Sequence, residues 1–185
     1  MKSKLITILF FIVFVSNANA QLPKDEITGK VVFTDVVQLE GMTTDEIYKK
    51  AKLWVVSTLK SGDNMVELSG VNSDQIIGTG NIKLVMDKEE RKWFKIKEGY
   101  MNFKFVIFCK DGRLKYNVEN FHLFFKRGSF QETNTSLDVV EDLPTWPKKL
   151  QPKYKEFVSN ISINNVNTLV NDFVKFMQTE ENNDW

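Results

Sequence analysis

The 185 residues hold one histidine, His122, and one cysteine, Cys109. Any Ser-His-Asp or Cys-His nucleophile would have to use His122. Both residues fall in 100–126, where Asp111-Gly112 sits between two alternating runs. That pattern predicts a hairpin with a two-residue turn of type I′. With Lys110 opposite Arg113, Cys109 pairs with Leu114, Ile107 with Tyr116, Phe105 with Val118 and Met101 with His122. These side chains then share one apolar face, and agreement between the two runs supports the register. Cys109 and His122 would be eight residues apart along that face, about 27 Å at ~3.4 Å per residue, which excludes a dyad. His122 is expected to be partly buried and neutral. Asn120, opposite Phe103, does not fit the pattern, and a bulge there would shift His122.

Other chemistry is equally thin. One cysteine excludes an intrachain disulfide, and one Cys with one His leaves too few ligands for a structural zinc site. Cys109 is either a buried small hydrophobe or a free thiol, and its place on the apolar face favours burial. Gly78-Thr79-Gly80 has the glycines of a phosphate loop, but such a loop must open a helix, and here a strand continues through Ile82, Lys83 and Leu84. Glycines inside a strand more often mark a bulge or a close approach. Glu89-Glu90 and Glu141-Asp142 are adjacent acids in charged loops, and nothing builds a cleft holding two carboxylates about 5–10 Å apart. Asn134-Thr135-Ser136 and Asn160-Ile161-Ser162 match the glycosylation sequon, which matters only in a eukaryotic secretory route. No catalytic, cofactor-binding or metal-binding residue is predicted.

A binding surface is a better candidate. On the hairpin's second face Lys104, Lys110, Arg113 and Lys115 carry four positive charges against Glu119. If the register runs on unbroken, Phe121, Leu123 and Phe125 join them there. Three large apolar side chains on an open face form a patch that monomers avoid. Either 128–150, which carries Leu143, Pro144 and Trp146, folds back as an ordered loop over part of the sheet, or a partner or ligand docks. The candidate surface is therefore Lys104, Lys110, Arg113, Lys115, Phe121, Leu123, Phe125 and Trp146.

The elements that must position these residues are also legible. Residues 30–39 are rich in β-branched and aromatic types and read as a strand. Thr43 and Glu46 form a capping box for a helix to about Leu59. Ile47, Ala51, Trp54, Val55 and Thr58 line its apolar face, so Trp54 is expected in the core. Residues 65–69 and 75–86 read as strands, and the charged run 87–98 as a long hairpin connection or an extension of its flanking strands. Pro152 can start a short helix, and Val166, Leu169, Val170, Phe173 and Met177 mark the apolar stripe of a second one. The order β-α-β-β-β-β-α predicts an α+β fold: an antiparallel sheet of about five strands with two helices packed on one face.

Length and charge frame the rest. Residues 1–20 read as a cleaved secretory signal: Lys2 and Lys4, an apolar run at 5–15, then Ser16-Asn17-Ala18-Asn19-Ala20. Eleven apolar residues span only about 16 Å, too short for a bilayer. No transmembrane segment is expected in 21–185, which forms one α+β domain large enough to fold without staples. The net charge of +1 falls to −1 without Lys2 and Lys4, which opposes nucleic-acid binding.

The chain resembles a family of exported Bacteroidetes domains of unknown function with a TATA-binding-protein-like fold. The resemblance rests on Gly29-Lys30-Val31-Val32-Phe33, Glu46-Ile47-Tyr48-Lys49-Lys50-Ala51-Lys52-Leu53-Trp54-Val55, Ile77-Gly78-Thr79-Gly80 and Phe105-Val106-Ile107-Phe108-Cys109-Lys110-Asp111-Gly112-Arg113-Leu114. It implies a fold and no activity. The expectation is an exported, non-enzymatic domain, periplasmic or extracellular. It would bind an envelope protein or small ligand through the uncovered sheet face, with no cofactor, and a homo-oligomer remains open. The alternative is an envelope or polymer hydrolase whose carboxylate pair the sequence does not identify.

Overall fold

The computed structural model describes residues 21–59, 74–127, 131–138 and 151–179. The expected signal, the expected strand at 65–69 and Trp146 lie outside them.

Eight elements follow in order: β1 (Val32–Gln38), α1 (Thr44–Thr58), β2 (Gln75–Lys83), α2 (Lys88–Trp93), β3 (Ile96–Lys110), β4 (Arg113–Arg127), β5 (Gln131–Ser136) and α3 (Gln151–Gln178). The fold is α+β, a five-stranded antiparallel sheet with three helices. β3 and β4 form the long central hairpin, and β2 flanks β3. β1 and β5 share the other edge of β4, end to end: β1 pairs with its first half and β5 with its second.

α1 starts where its capping box stands. The Thr43 amide donates to Glu46 Oε2 at 2.8 Å, and the Glu46 amide donates back to the Thr43 hydroxyl at 3.4 Å. The hairpin turn adds a second cap, since Asp111 Oδ1 accepts from the Thr44 amide at 2.7 Å and its hydroxyl at 2.8 Å. The Asp111 carboxyl is thereby held below its ordinary value, first by the hydroxyl and then by the amide. This commitment also corrects the turn type. Type I′ needs positive φ at both central residues, and only Gly112 has it, at 73°.

α1 and α3 pack on one face of the sheet. The Trp54 ring lies 5.6 Å from Phe105 on β3 and 4.8 Å from Phe173 on α3, so it joins three elements at the centre of the core. Gly80 is the close approach expected of a strand glycine. A Cβ there would stand 2.6 Å from Phe103 Cζ, so the ring fills the space a side chain would take.

Three parts of the secondary structure depart from expectation. Residues 87–98 contain α2, capped by Asp87, which accepts from the amides of Glu89 and Glu90. The loop expected at 128–150 begins instead with β5, a polar strand drawn into the sheet by the free edge of β4. The two expected C-terminal helices are one helix of 28 residues. Asn165, whose residue type argues for a break there, has its side chain fully employed: Nδ2 donates to Ile161 O and Val85 O, and Oδ1 accepts from the Val85 amide.

Candidate functional site

The hairpin register holds from Lys110↔Arg113 to Lys104↔Glu119, with every pair where the sequence puts it. Beyond that it slips by one, because Asn102 faces His122. Asn120 and Phe121 together oppose Phe103, and Asn120 takes the left-handed conformation at φ 56°. This is a β-bulge, and Asn is among the few residues that adopt such a φ at small cost.

The bulge exchanges the two faces of β4. Before it, Leu114, Tyr116 and Val118 point at the helices; after it, Phe121, Leu123 and Phe125 do, all three fully buried. Phe121 meets Phe33 edge-on at 5.6 Å, and Phe125 lies 5.7 Å from Phe157 of α3. The expectation that Phe121, Leu123 and Phe125 lie on the open face is thus corrected: the extra residue at the bulge returns them to the core. His122 moves the other way, so it and Cys109 lie on opposite faces, not on a shared one. Cys109 is buried, and its thiol is pushed up to about 11, mainly by burial and secondarily by Asp74. At neutral pH it is a protonated thiol and a poor nucleophile.

Three of the four expected cations stay together. Lys110, Arg113 and Lys115 surround a concavity of about 390 Å³ on the open face, with Val36, Phe108 and Leu114. One row of the sheet crosses it, running Gln75, Phe108, Lys115 and Val36 from β2 to β1. Phe108 is 38% exposed and Val36 44%. The register with Lys110 opposite Arg113 also implies Phe108 opposite Lys115, although Phe108 is not among the residues expected at the surface. Val36 was not visible, because the pairing of β1 with β4 is not written in either strand.

Lys104 shares the face but lies two rows away and pairs with Glu119 at 3.2 Å. Between them the Thr34 hydroxyl donates to Asn117 Oδ1 at 2.7 Å. Over the bulge is a polar recess of about 480 Å³, whose wall includes Asp25, Glu119 and Asp138. Each of these acids has a structural partner. Asp25 Oδ1 accepts from the Thr28 amide, its hydroxyl and the Ile27 amide, Glu119 holds Lys104, and Asp138 Oδ1 accepts from the Val31 amide at 2.8 Å. Among the described residues no group of three or more His, Cys, Asp or Glu is placed to hold a metal ion. Among them also, no helix is long and apolar enough to cross a membrane.

A five-stranded antiparallel sheet carrying its helices on one face defines the class, a TBP-like α+β fold. Through residues 33–124 the chain belongs to the family described as a domain of unknown function (DUF4468) with TBP-like fold. Two crystal structures share the architecture. A TBP-like protein from Parabacteroides distasonis ATCC 8503 superposes with a TM-score of 0.63 at 18% identity, over 88% of this chain and 99% of that one. A DUF4468 family protein from Bacteroides ovatus ATCC 8483 gives 0.59 at 16% identity, over 86% of this chain and 92% of that one. At such identities the likeness speaks for the fold alone. No curated protein matches the sequence.

Proposed function

We propose that this is an exported, non-catalytic binding domain, and that its ligand or envelope partner docks on the open sheet face beside the β3–β4 turn. The observation that carries the reading is the pairing of Phe108 and Val36, both exposed, with Lys110, Arg113 and Lys115 around one concavity. Apolar side chains in the middle of a wet face lose free energy until something covers them. The cations select what does so: an apolar body ending in a carboxylate, sulfonate or phosphate. Export rests on the leader-like residues 1–20.

The test uses anilinonaphthalene sulfonate, an aromatic anion of this kind. Saturable fluorescence enhancement is expected with the native protein, lost in Phe108→Ser and weakened in Lys115→Glu at unchanged thermal stability. Enhancement that neither substitution alters would place the binding elsewhere and end the proposal. For export, mass spectrometry of the protein from its native host should find Gln21 at the amino terminus; retained residues 1–20 would refute it.

A further inference from the structure

The opposite end of the hairpin carries a second, separate surface. Lys88, Arg91, Lys92 and Lys95 stand at i, i+3, i+4 and i+7, so the turns of α2 and its exit bring them to one side. With Lys97 and Ile96 they line a concavity of about 420 Å³ whose lining holds no carboxylate among the described residues. Of the acids in this segment Asp87 and Glu90 are turned away or used, while Glu89 is exposed on α2. Asp87 caps α2, and Asp87 and Glu90 line the groove against α3 instead. Burial, and next Asp87, raises the Glu90 carboxyl above its ordinary value. Arg91 Nη2 donates to Lys97 O at 2.6 Å, which holds the exit strand against the helix.

Two further observations distinguish this patch from a scatter of solvated lysines. Lys95 follows the last turn of α2 at φ 54°, the left-handed position that glycine usually fills at a helix end. The chain places a cation there, where glycine would be less strained. Beside it Trp93 is 50% exposed, with Lys153 Nζ 5.2 Å from its ring centre. Five cations around one concavity are more than a single phosphate engages. An exposed indole next in the chain to such a cationic strip is a combination found at membrane–water interfaces.

We propose that the α2 end of the molecule docks on an anionic lipid surface, with Lys88, Arg91, Lys92, Lys95 and Lys97 on headgroup phosphates and Trp93 at the interfacial level. The sheet-face reading is not needed for this, because the two surfaces lie at opposite ends of the β3–β4 hairpin.

The chain from Gln21 onward contains every described residue and serves for the test. It is sedimented with vesicles of phosphatidylglycerol and phosphatidylcholine in equal parts, and with vesicles of phosphatidylcholine alone. Binding is expected only to the first, falling as salt is raised past physiological strength. Lys92→Glu with Lys95→Glu should lower the partition at least about 25-fold, on the order of fivefold per cation lost. Trp93→Ala should lower it further at unchanged melting temperature. Lys110→Glu with Lys115→Glu should leave it unchanged, so failure here and failure of the sheet-face reading are separable. Equal binding to both vesicle types, insensitivity to salt, or unaltered binding by the Lys92/Lys95 variant would overturn the proposal. So would polyglutamate competing as well as phosphatidylglycerol vesicles do, since the surface would then be one for an acidic protein. Lys92→Gln with Lys95→Gln, which removes the same two cations without adding acids, keeps the test if the glutamate variant does not fold.

Discussion

The two halves of β4 are made of similar residues and do opposite things with them. In the first half the odd-numbered residues Arg113, Lys115, Asn117 and Glu119 face water, and the even-numbered ones are buried. In the second half Phe121, Leu123 and Phe125 are buried, while His122 and Phe124 face outward half-covered. Asn120 alone separates them. A strand's alternation fixes which residues share a face only as far as the next bulge, because one extra residue exchanges every later side chain. The partners differ accordingly. The first half pairs with β1 and carries the exposed cationic concavity; the second pairs with β5, and both halves pack against α3.

Deleting Asn120 together with Phe121 is the largest perturbation available to this contrast. It joins Glu119 to His122, so alternation would turn Leu123 and Phe125 to the wet face, and with the loss of Phe121 each of the three forfeits roughly 1.5–3 kcal/mol of burial. Against a total of ~5–15 kcal/mol the chain should not fold, seen as loss of the cooperative urea transition. A variant that folds with native stability would mean that alternation does not set the faces beyond residue 119.

A gentler comparison uses one phenylalanine from each side. Phe121→Ala should cost about 3–5 kcal/mol, and Phe108→Ala, on the open face, about 1 kcal/mol or less. Equal losses in chemical denaturation would show that the open face is as covered as the core. At the bulge itself, Asn120→Val should cost about 1–2 kcal/mol, because a β-branched residue resists the left-handed conformation, whereas Asn120→Gly should be close to neutral.

The smallest effect concerns the turn that ends the first half. The Asp111 carboxyl is lowered in the folded state by Thr44, so its contribution is present above the unfolded value of about 3.9 and lost as pH falls through the lower folded one. Asp111→Asn should therefore be less stable than the native chain at neutral pH. That difference should shrink as urea titrations are repeated below about pH 4, in the range where the carboxylate takes up its proton. A gap that stays constant with pH would mean that the ionised form has no part in capping α1.

What the sequence showed and concealed divides along the same line. The hairpin register, the Thr43–Glu46 box and the burial of Trp54 depend on neighbours close in the chain or on strict alternation, and all are readable. Asn120 was visible as a misfit, but its consequence for Phe121 and those after it depends on which strand the chain can afterwards rejoin. β5 has the composition of a loop, Gln131-Glu132-Thr133-Asn134-Thr135-Ser136, and is a strand because β4 offers a ladder. α2 did leave a mark, Asp87 three residues before Glu90, which is a helix start inside a run of charge. Of the candidate surface, the cations Lys110, Arg113 and Lys115 came from alternation alone. Val36 needed the tertiary pairing of β1.

The side-chain amide of Asn165 meets both backbone groups of Val85, as a neighbouring strand would. In mechanical terms this is a weld between the exit of β2 and a helix 28 residues long. Phe94, just past α2, is wedged 4.4 Å from Phe157 on the same helix. A push on the cationic end is therefore borne by α3, whose Phe173 stands 5.3 Å from Phe105 of β3 and 6.0 Å from Tyr116 of β4. One long helix thus ties the segment around α2 to the middle of the central hairpin through packed aromatic rings.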